Sequence, residues 1–209
     1  TYFICQNNKP IYTLRICRPN YHTFEELESE IQWLLNIDDV NICKPISENG
    51  EYVKKINDCY CTMYKYIDGI ADVEIEGNEN LYIEIGRIAG LLHKNTIEKP
   101  FNAIRPKWSM ENLIGKNGLW GDWRKTTVLN NQQKDIVEKT CTKIYEKVAN
   151  YKTDKYGLIH IDLRLTNIIV GKTTGVIDFD DCGYGYFMQD LASSVSFLEN
   201  SPQLSTLIE

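Results

Sequence analysis

Residues 157–181, GLIHIDLRLTNIIVGKTTGVIDFDD, constrain the fold most, because three short apolar runs alternate there with polar residues. The runs GLIHI, NIIV and GVIDF have the length and composition of short β-strands, and GKTT between the last two predicts a hairpin. A hairpin brings its two ends together, so we expect Asn167, before the first arm, to lie near Asp178, at the end of the second. The chain therefore contains a hairpin whose polar end gathers oxygen-bearing side chains.

Asp162, Asn167 and Asp178 are suited to the chemistry of a hard cation. Mg²⁺ takes oxygen ligands in an octahedron and usually accepts one or two carboxylates, with phosphate oxygens and water completing its coordination. The Asn167 amide and the Asp178 carboxylate match that requirement, and Asp162 would stand beside the metal to orient a hydroxyl and accept its proton. This arrangement is typical of phosphoryl transfer, in which positioning and charge neutralisation supply most of the catalysis.

The first third of the chain predicts strands around one helix. TYFIC and IYTLRICRP flank the turn-forming QNNKP, while GEYVKKI and CYCTMYKY flank NDC, so each pair predicts a hairpin. Between the hairpins, Thr23 followed three residues later by Glu26 forms a capping-box pattern, and the apolar spacing after it predicts a helix over 24–36. On the second strand, the period of two places Arg15 on one face with Thr13.

After the turn IDG at residues 67–69 the pattern becomes helical. LYIEIGRIAGLLH and QQKDIVEKTCTKIYEKV each carry an apolar stripe at helical spacing. The segment between them, RPKWSMENLIGKNGLWGDWRK, holds three of the four tryptophans and shows no clear period. The predicted domains are residues 1–68 and 69–209. Because the chain starts without methionine and ends inside a helical pattern, we expect further residues at both ends.

The composition argues against several classes of protein. The 23 basic and 29 acidic residues give a net charge of −6, which disfavours nucleic acid as a partner and suits a neutral or cationic small substrate. No apolar run approaches the roughly 18 residues that cross a bilayer, so no membrane partner is expected. The seven cysteines lack a C-x-x-C pair and an even disulfide spacing, which is typical of reduced thiols in the cytoplasm. Among them, Cys182 follows the acidic loop and is the candidate for a reactive thiol.

The stretch HIDLRLTN resembles the H-R-D-L-x-x-x-N catalytic loop of protein kinases, and IDFDD stands where those enzymes carry D-F-G. It is more similar to the pattern H-x-D-x-x-x-x-N followed by I-D-F or I-D-L of the aminoglycoside phosphotransferase and choline kinase family. VIDFDDCGYGYFMQDLA is similar to the RdoA-like bacterial branch of that family. The resemblance implies an α+β, two-lobed, protein-kinase-like fold that binds ATP between the lobes. Its small β-rich N-lobe has one helix, and its larger, mainly helical C-lobe carries a catalytic β-hairpin.

The same resemblance implies a role for each matching residue. Asp162 corresponds to the catalytic base, Asn167 and Asp178 to the magnesium ligands, and His160 to a residue that positions the loop rather than a proton donor. Arg15 stands at the strand position where protein kinases have lysine, and its guanidinium could bind the α- and β-phosphates of ATP.

Glu30 corresponds to the helix glutamate that pairs with that cation. Helical spacing alone leaves Glu28 and Glu30 open, since both flank the apolar stripe. The segment before IDG resembles the hinge between the lobes, so residues 63–66, from Met63 to Tyr66, are expected to line the adenine pocket. Two features depart from the protein-kinase pattern: no glycine-rich loop precedes YTLRI, and Asp180 replaces the glycine of D-F-G, as is common in the small-molecule branch.

Several residues keep more than one interpretation. Arg164 either contacts the transferred phosphate or forms a surface ion pair. Asp180 and Asp181 either bind a second metal, occupy a solvated turn or face the substrate. Asp190 is expected to cap a helix or to brace the catalytic loop. His93 is expected to cap the end of its helix.

The leading hypothesis is an ATP- and Mg²⁺-dependent kinase that phosphorylates a hydroxyl of a small molecule, such as an aminoglycoside or another amino alcohol. The first alternative keeps the fold and changes the acceptor to a protein serine or threonine, as in RdoA-like kinases. A third hypothesis is a kinase-like binding protein without activity, since the glycine-rich loop is missing. A nucleotide-sugar glycosyltransferase using DFDD as its metal motif would leave the His160 loop unexplained.

Overall fold

The computed structural model describes residues 1–71, 79–151, 153–196, 198 and 200–208. The strands of its first part are β1 Tyr2–Gln6, β2 Lys9–Ile16, β3 Asn41–Ile42, β4 Pro45–Ile46, β5 Val53–Ile56 and β6 Cys59–Lys65. Five of them form one antiparallel sheet in the order β1-β2-β6-β4, with β5 also paired to β6. Both predicted hairpins are therefore confirmed.

The first hairpin turns through Asn7 and Asn8, whose φ angles of 51° and 62° are left-handed. A two-residue loop with both residues in this region matches the twist of the flanking strands, and asparagine tolerates it better than most residues. Along the neighbouring pair, Arg15 lies opposite Thr62 and Thr13 lies opposite Tyr64. Because side chains alternate along a strand, these four side chains share one face of the sheet.

Helix α1, Phe24–Asn36, begins and ends where the sequence predicts. The Thr23 side chain accepts a hydrogen bond from the Glu26 backbone N–H, and the Glu26 side chain accepts one from the Thr23 N–H. This reciprocal capping satisfies two backbone donors that the helix itself leaves free. The buried face of α1 carries Leu27, Ile31 and Leu34 against the core, as their helical spacing predicts.

The second part contains most of the helices. They are α2 Glu79–Glu98, α3 Met110–Ile114, α4 Asn131–Ala149, α5 Met188–Ser194 and α6 Leu204–Ile208. Its strands are β7 Tyr156–Ile159, β8 Ile168–Ile169, β9 Gly175–Val176 and β10 Gly183–Tyr186. The tryptophan-rich middle segment forms α3 and a short 3₁₀ turn at Trp123–Lys125, so its lack of one clear period reflects two brief helical pieces.

Strands β8 and β9 form the predicted hairpin, with Ile168 opposite Val176. On its other side, β9 pairs in parallel with β3, which comes from the first part of the chain. Strand β10 pairs with β7 in a separate antiparallel ladder. The predicted domain boundary after residue 68 stays a prediction. Strand β3, before that boundary, pairs with β9, after it, so the two parts share one sheet.

The hydrophobic core is continuous between the two parts. One cluster of buried residues includes Leu27 and Trp33 of α1, Leu92 of α2 and Phe179 beyond β9. The Trp33 and Phe179 rings meet edge to face with centroids 5.6 Å apart. The fold is α+β, as predicted, and α1 packs directly on the segment that follows the hairpin. Among the described helices, none combines the length and apolarity needed to cross a membrane.

Candidate active site

The loop after β7 carries Asp162 and is held by a buried carboxylate. Asp190 of α5 accepts hydrogen bonds from the backbone N–H of His160 at 3.3 Å and of Ile161 at 2.7 Å. Ile161 has a φ of 67°, a left-handed conformation that costs a β-branched residue about 1–3 kcal/mol. Asp190 thus holds a strained backbone directly before Asp162. Of its two interpretations, the brace is confirmed and the helix cap is wrong, because Asp190 lies inside α5 and bonds outside it.

His160 connects this loop to the hairpin. Its ring is buried, its Nε2 lies 3.0 Å from the Ile177 carbonyl oxygen, and its Nδ1 accepts the Asp162 N–H at 3.3 Å. The imidazole therefore donates through Nε2 and accepts through Nδ1, which is the pattern of one neutral tautomer. The ring also packs on Phe179 at 4.4 Å. These contacts fit the expected positioning role, since neither nitrogen is left for proton transfer.

Asp162 faces two side chains that donate to its carboxylate. Asn167 Nδ2 donates to Oδ2 and to the Asp162 carbonyl oxygen, both at 2.8 Å. Arg164 forms a two-point ion pair, with Nε 2.9 Å from Oδ1 and Nη2 3.1 Å from Oδ2. The Asn167 amide nitrogen donates to Asp162, so the amide oxygen of Asn167, Oδ1, is the atom of this side chain that could bind a cation. The structure thus favours the ion-pair interpretation of Arg164.

Asp178 follows the hairpin at a φ of 65°. The N–H of Ile177, the residue before Asp178, donates to the Asn167 carbonyl at 3.0 Å. The hairpin therefore brings Asn167 close to Asp178, as predicted. Asp178 is exposed at the edge of a cavity that it lines together with Arg15. The protein atoms around its carboxyl and the negative charge of Asp180 nevertheless raise the pKa of that carboxyl. A bound cation would offset that unfavourable environment for a carboxylate.

The donor set fits Mg²⁺ better than a metal held by protein alone. Among the residues that the structure describes, no three His, Cys, Asp or Glu side chains are grouped as ligands for one ion. One amide oxygen and one carboxylate, Asn167 and Asp178, would leave the remaining positions to phosphate oxygens and water. Mg²⁺ commonly binds in this way at nucleotide sites.

Arg15, on the sheet, lies between two carboxylates. Its Nη2 donates to Glu30 Oε2 at 2.8 Å, and its Nη1 lies 3.3 Å from Asp180 Oδ1. The Tyr64 hydroxyl donates to Glu30 Oε1 at 3.1 Å. Burial alone would lower the pKa of Arg15, but the charge and hydrogen bond of Glu30, together with Tyr64 and the charge of Asp180, outweigh it and raise that pKa. Glu30 is fully buried and pairs with Arg15, whereas Glu28 lines an outer groove, so the structure selects Glu30.

Asp180, which replaces the glycine of the D-F-G pattern, belongs to the same network. It lies 3.3 Å from His22 Nε2 and 3.6 Å from Arg18 Nη2. Burial would raise its pKa, but the hydrogen bond with His22 and the charge of Arg15 lower it to about 2. Asp180 is therefore an ionised partner of three cationic or polar groups, rather than a solvated turn residue. The sequence contained no pattern that pairs position 180 with Arg15.

A cavity of 280 Å³ lies between the sheet and the hairpin segment. Its lining consists of Thr1, Phe3, Thr13, Arg15, Glu30, Cys43, Tyr64, Ile177, Asp178 and Phe179. Of the expected adenine-pocket segment 63–66, Tyr64 belongs to this lining, whereas Met63 and Tyr66 lie beside it. Met63 pairs with Leu14 on the sheet face opposite Arg15, and Tyr66 packs edge to face on Phe3 at 5.6 Å. The role of the segment in base binding stays a prediction, while Phe3 is a lining residue that the sequence did not indicate.

Cys182, the thiol singled out for a reactivity test, is a buried core residue; burial raises the pKa of its thiol to about 12, so it lacks the thiolate that makes a cysteine reactive. The expectation for His93 is wrong. His93 does not cap its helix, because α2 continues to Glu98. Instead, His93 Nε2 lies 2.8 Å from Asp190 Oδ2, and its ring stacks on Phe187 at 4.3 Å. It thereby joins the group of side chains that support the catalytic loop.

Comparison with known proteins gives this geometry a family. Residues 1–207 match the model of the phosphotransferase enzyme family. Amicoumacin kinase of Bacillus subtilis is 26% identical over 207 residues, a match that covers 90% of this chain and 57% of the relative. The chain thus spans little more than half the length of that relative.

Solved structures agree. A microcompartment-associated aminopropanol kinase superposes with a TM-score of 0.80 at 28% identity, covering 93% of this chain and 65% of the other. An amicoumacin kinase in complex with AMP-PNP, Ca²⁺ and Ami superposes with a TM-score of 0.74 over 99% of this chain and 69% of the other; at 21% identity it shows a common fold. The protein-kinase-like fold is confirmed by these neighbours. On the match of residues 1–207, the chain belongs to the phosphotransferase enzyme family.

Proposed function

We propose that this chain transfers the γ-phosphoryl group of ATP, with Mg²⁺, to a hydroxyl of a small molecule. The supporting observation is that Asp178 and the Arg15–Glu30 pair line one cavity, while the Asp162–Asn167 pair is joined to the same hairpin through the bond from the Ile177 N–H to the Asn167 carbonyl. A base beside an oxygen-ligand site, with a buried guanidinium at the same cavity as Asp178, suits a reaction that depends on charge neutralisation and alignment.

In this proposal Asp162 orients the acceptor hydroxyl and accepts its proton as the oxygen attacks phosphorus. The Arg164 and Asn167 contacts fix the rotamer of Asp162 before the acceptor arrives. Asn167 Oδ1 and the Asp178 carboxylate would hold Mg²⁺, which neutralises charge on the phosphates when it is bound. Arg15, held in place by Glu30, would contribute a second positive charge to the phosphates. Tyr66, which packs on the lining residue Phe3, would border the adenine, and Met63 would lie behind it on the other face of the sheet.

The acceptor class is proposed from charge and from the relatives. The net charge of −6 suits a cationic acceptor, and the named acceptors of the similar enzymes, amicoumacin and aminopropanol, are small molecules. A protein serine or threonine remains the alternative acceptor. In the sequence, a protein acceptor was supported by Arg164 as a contact to the transferred phosphate, whereas in the structure Arg164 pairs with Asp162.

The proposed location is the reducing cytoplasm, and all seven cysteines are free, as expected there.

The test is ATP turnover across a panel of hydroxyl compounds, using the full chain and Asp162→Ala. Asp135→Ala, on the exposed surface of α4, serves as the matched control. General-base loss lowers rates by about 10²–10⁴-fold, so Asp162→Ala should lose turnover by that factor and Asp135→Ala should retain it. Equal turnover by Asp162→Ala and the unsubstituted chain would sink the proposed role. Labelled phosphate found on protein and on no small molecule would support the alternative acceptor.

Two outcomes would point away from kinase activity altogether. Absence of Mg-ATP binding in calorimetry would support a kinase-like binding protein. Selective binding of a nucleotide sugar over ATP would revive the glycosyltransferase hypothesis.

A further inference from the structure

The segment of residues 103–108, which follows α2, passes between α1 and the loop after Asp178. Arg105 is buried there, with 7% of its surface exposed. All three of its guanidinium nitrogens donate to main-chain carbonyls: Nε to Cys182 at 2.6 Å, Nη1 to Glu26 at 3.3 Å, and Nη2 to Asp180. One side chain therefore connects the first turn of α1 to two peptide groups of the acidic loop.

Trp108, in the same segment, also donates hydrogen bonds to the acidic loop and to the strand that follows it. Its Nε1 donates to the Asp181 carbonyl at 2.8 Å, and its backbone N–H donates to the Tyr184 carbonyl at 2.7 Å. Together, Arg105 and Trp108 occupy the carbonyls of three consecutive residues, 180, 181 and 182. A loop whose successive peptide groups are each bonded from one side has little freedom to rotate.

The segment is also bonded to α1. The Ile104 N–H donates to Ser29 Oγ at 2.8 Å, one residue before Glu30. The guanidinium of Arg105 thus lies between the helix that supplies Glu30 and the loop that supplies Asp178 and Asp180. A planar fork of five N–H donors can reach three separate carbonyls, whereas an ammonium group offers a single point of charge.

We propose that Arg105 is a positioning residue, which fixes the peptide groups of residues 180–182 relative to α1 and so sets Asp178 toward the metal and Asp180 against Arg15. The inference rests on the proposed phosphotransfer function for its metal. The loop needs such support because Asp178 adopts a left-handed backbone. Arg105 acts through the loop and does not itself contact the reacting groups.

The experiment compares Arg105→Gln, Arg105→Lys and the control Arg124→Gln in the full chain. Arg124 also bonds a backbone carbonyl, that of Ile114, and pairs with Glu138, away from the cleft. The first readout is hydrogen exchange of the amides in 178–184. We expect faster exchange there in both Arg105 variants, more so in Arg105→Gln, and no change there in Arg124→Gln.

The second readout is Mn²⁺ affinity in the presence of AMP-PNP, measured by electron paramagnetic resonance without turnover. Loss of a residue that orients metal ligands typically weakens metal affinity by about 10–100-fold, and we expect that range for Arg105→Gln. Arg105→Lys should fall between Arg105→Gln and the unsubstituted chain, while Arg124→Gln should match the unsubstituted chain. If Arg105→Gln does not fold, Arg105→Lys carries both comparisons.

The outcomes separate the two proposals. Unchanged exchange in 178–184, or Mn²⁺ affinity in the folded Arg105 variants equal to that of the unsubstituted chain, would overturn the inference alone. Absence of Mn²⁺ binding by the unsubstituted chain with AMP-PNP would overturn the proposed function and, with it, the metal part of this inference.

Discussion

The catalytic loop and the cluster around Arg15 hold the two sets of proposed site residues, and they are built in different ways. In the loop, His160, Asp162, Asn167 and Ile177 bond to one another over separations of 2, 5 and 17 residues. In the cluster, Arg15 meets Glu30 at a separation of 15 residues, Tyr64 meets Glu30 at 34, and Asp180 comes from the other part of the chain.

The two regions also differ in their contact with water. The side chain of Asp162 is 30% exposed, while Glu30 is fully buried beside Arg15. A partly exposed carboxylate can be altered at small cost to folding, but a buried ion pair leaves an uncompensated charge when one partner is removed. The comparison therefore predicts that substitutions in the loop remove activity and that substitutions in the cluster remove stability.

The largest effect is expected from Asp162→Asn, which keeps the shape of the side chain and removes its charge. Turnover should fall by about 10²–10⁴-fold because the general base is lost. The free energy of unfolding, measured in urea, should change by less than about 1 kcal/mol, since exposed ion pairs such as that with Arg164 contribute little. A large loss of stability would contradict the distinction between the two regions.

The next effect is expected from Glu30→Ala. Removing one partner of a buried ion pair costs about 3–5 kcal/mol, and here the Tyr64 hydroxyl loses its acceptor as well. Glu28→Ala, on the same helix, is the matched control and should stay within about 0.5 kcal/mol. Urea unfolding of both variants measures the difference, and equal stabilities would show that the cluster is not held together by its charges.

A smaller effect concerns Asp180 and depends on pH. Its pKa in the folded protein, about 2, lies below the ordinary value of 3.8, so ionised Asp180 stabilises the fold above about pH 4. That contribution, roughly 2 kcal/mol at 1.36 kcal/mol per pKa unit, is lost as the pH falls from about 4 to about 2. In metal-free buffer, Asp180→Asn should be less stable than the unsubstituted chain at neutral pH, and the two curves should converge in acid. A difference that persists at pH 2 would refute the assignment.

The smallest effect on stability is expected at an exposed ion pair of α4, which serves as the reference for the buried pair. Lys139 pairs with Asp135 at 2.6 Å on α4, and both side chains are well exposed. Exposed pairs four residues apart on a helix contribute about 0.3–0.5 kcal/mol. Lys139→Ala should therefore change the unfolding free energy by no more than that, and the change should shrink further in high salt. A loss comparable to that of Glu30→Ala would show that exposure does not separate the two regions.

Local patterns accounted for much of the fold. The Thr23 and Glu26 capping box placed α1 correctly, and the turn signals located three hairpins, because both act through residues a few positions apart. Strands β3, β4 and β10 were not predicted. Each is short, and each takes its hydrogen-bond partners from a strand that is not its neighbour in sequence, namely β9, β6 and β7.

The site divides in the same way. The spacing of Asp162, Asn167 and Asp178 marked the catalytic loop in the sequence, and one hairpin brings Asn167 near Asp178. Met63 was placed without knowledge of the strand register, and the observed pairing with Leu14 puts it on the face opposite Arg15. A shift of one residue exchanges the two faces of a strand, so the pocket lining could not be derived from the pattern of one strand.

The sequence by itself determined the secondary elements with strong local signals and the family of the chemistry, since hydrophobic period, caps, turns and motif spacing operate over short stretches of chain. Helical spacing left Glu28 and Glu30 open, and the family resemblance favoured Glu30, which pairs with Arg15 in the structure. Only the tertiary structure decided the other partners of the buried charges: Asp180 as the second carboxylate of Arg15, and three carbonyls for Arg105. The physical reason is that a buried charge is stabilised by whichever groups packing brings within hydrogen-bond distance. Packing depends on strand register and helix docking, which no short stretch of sequence specifies.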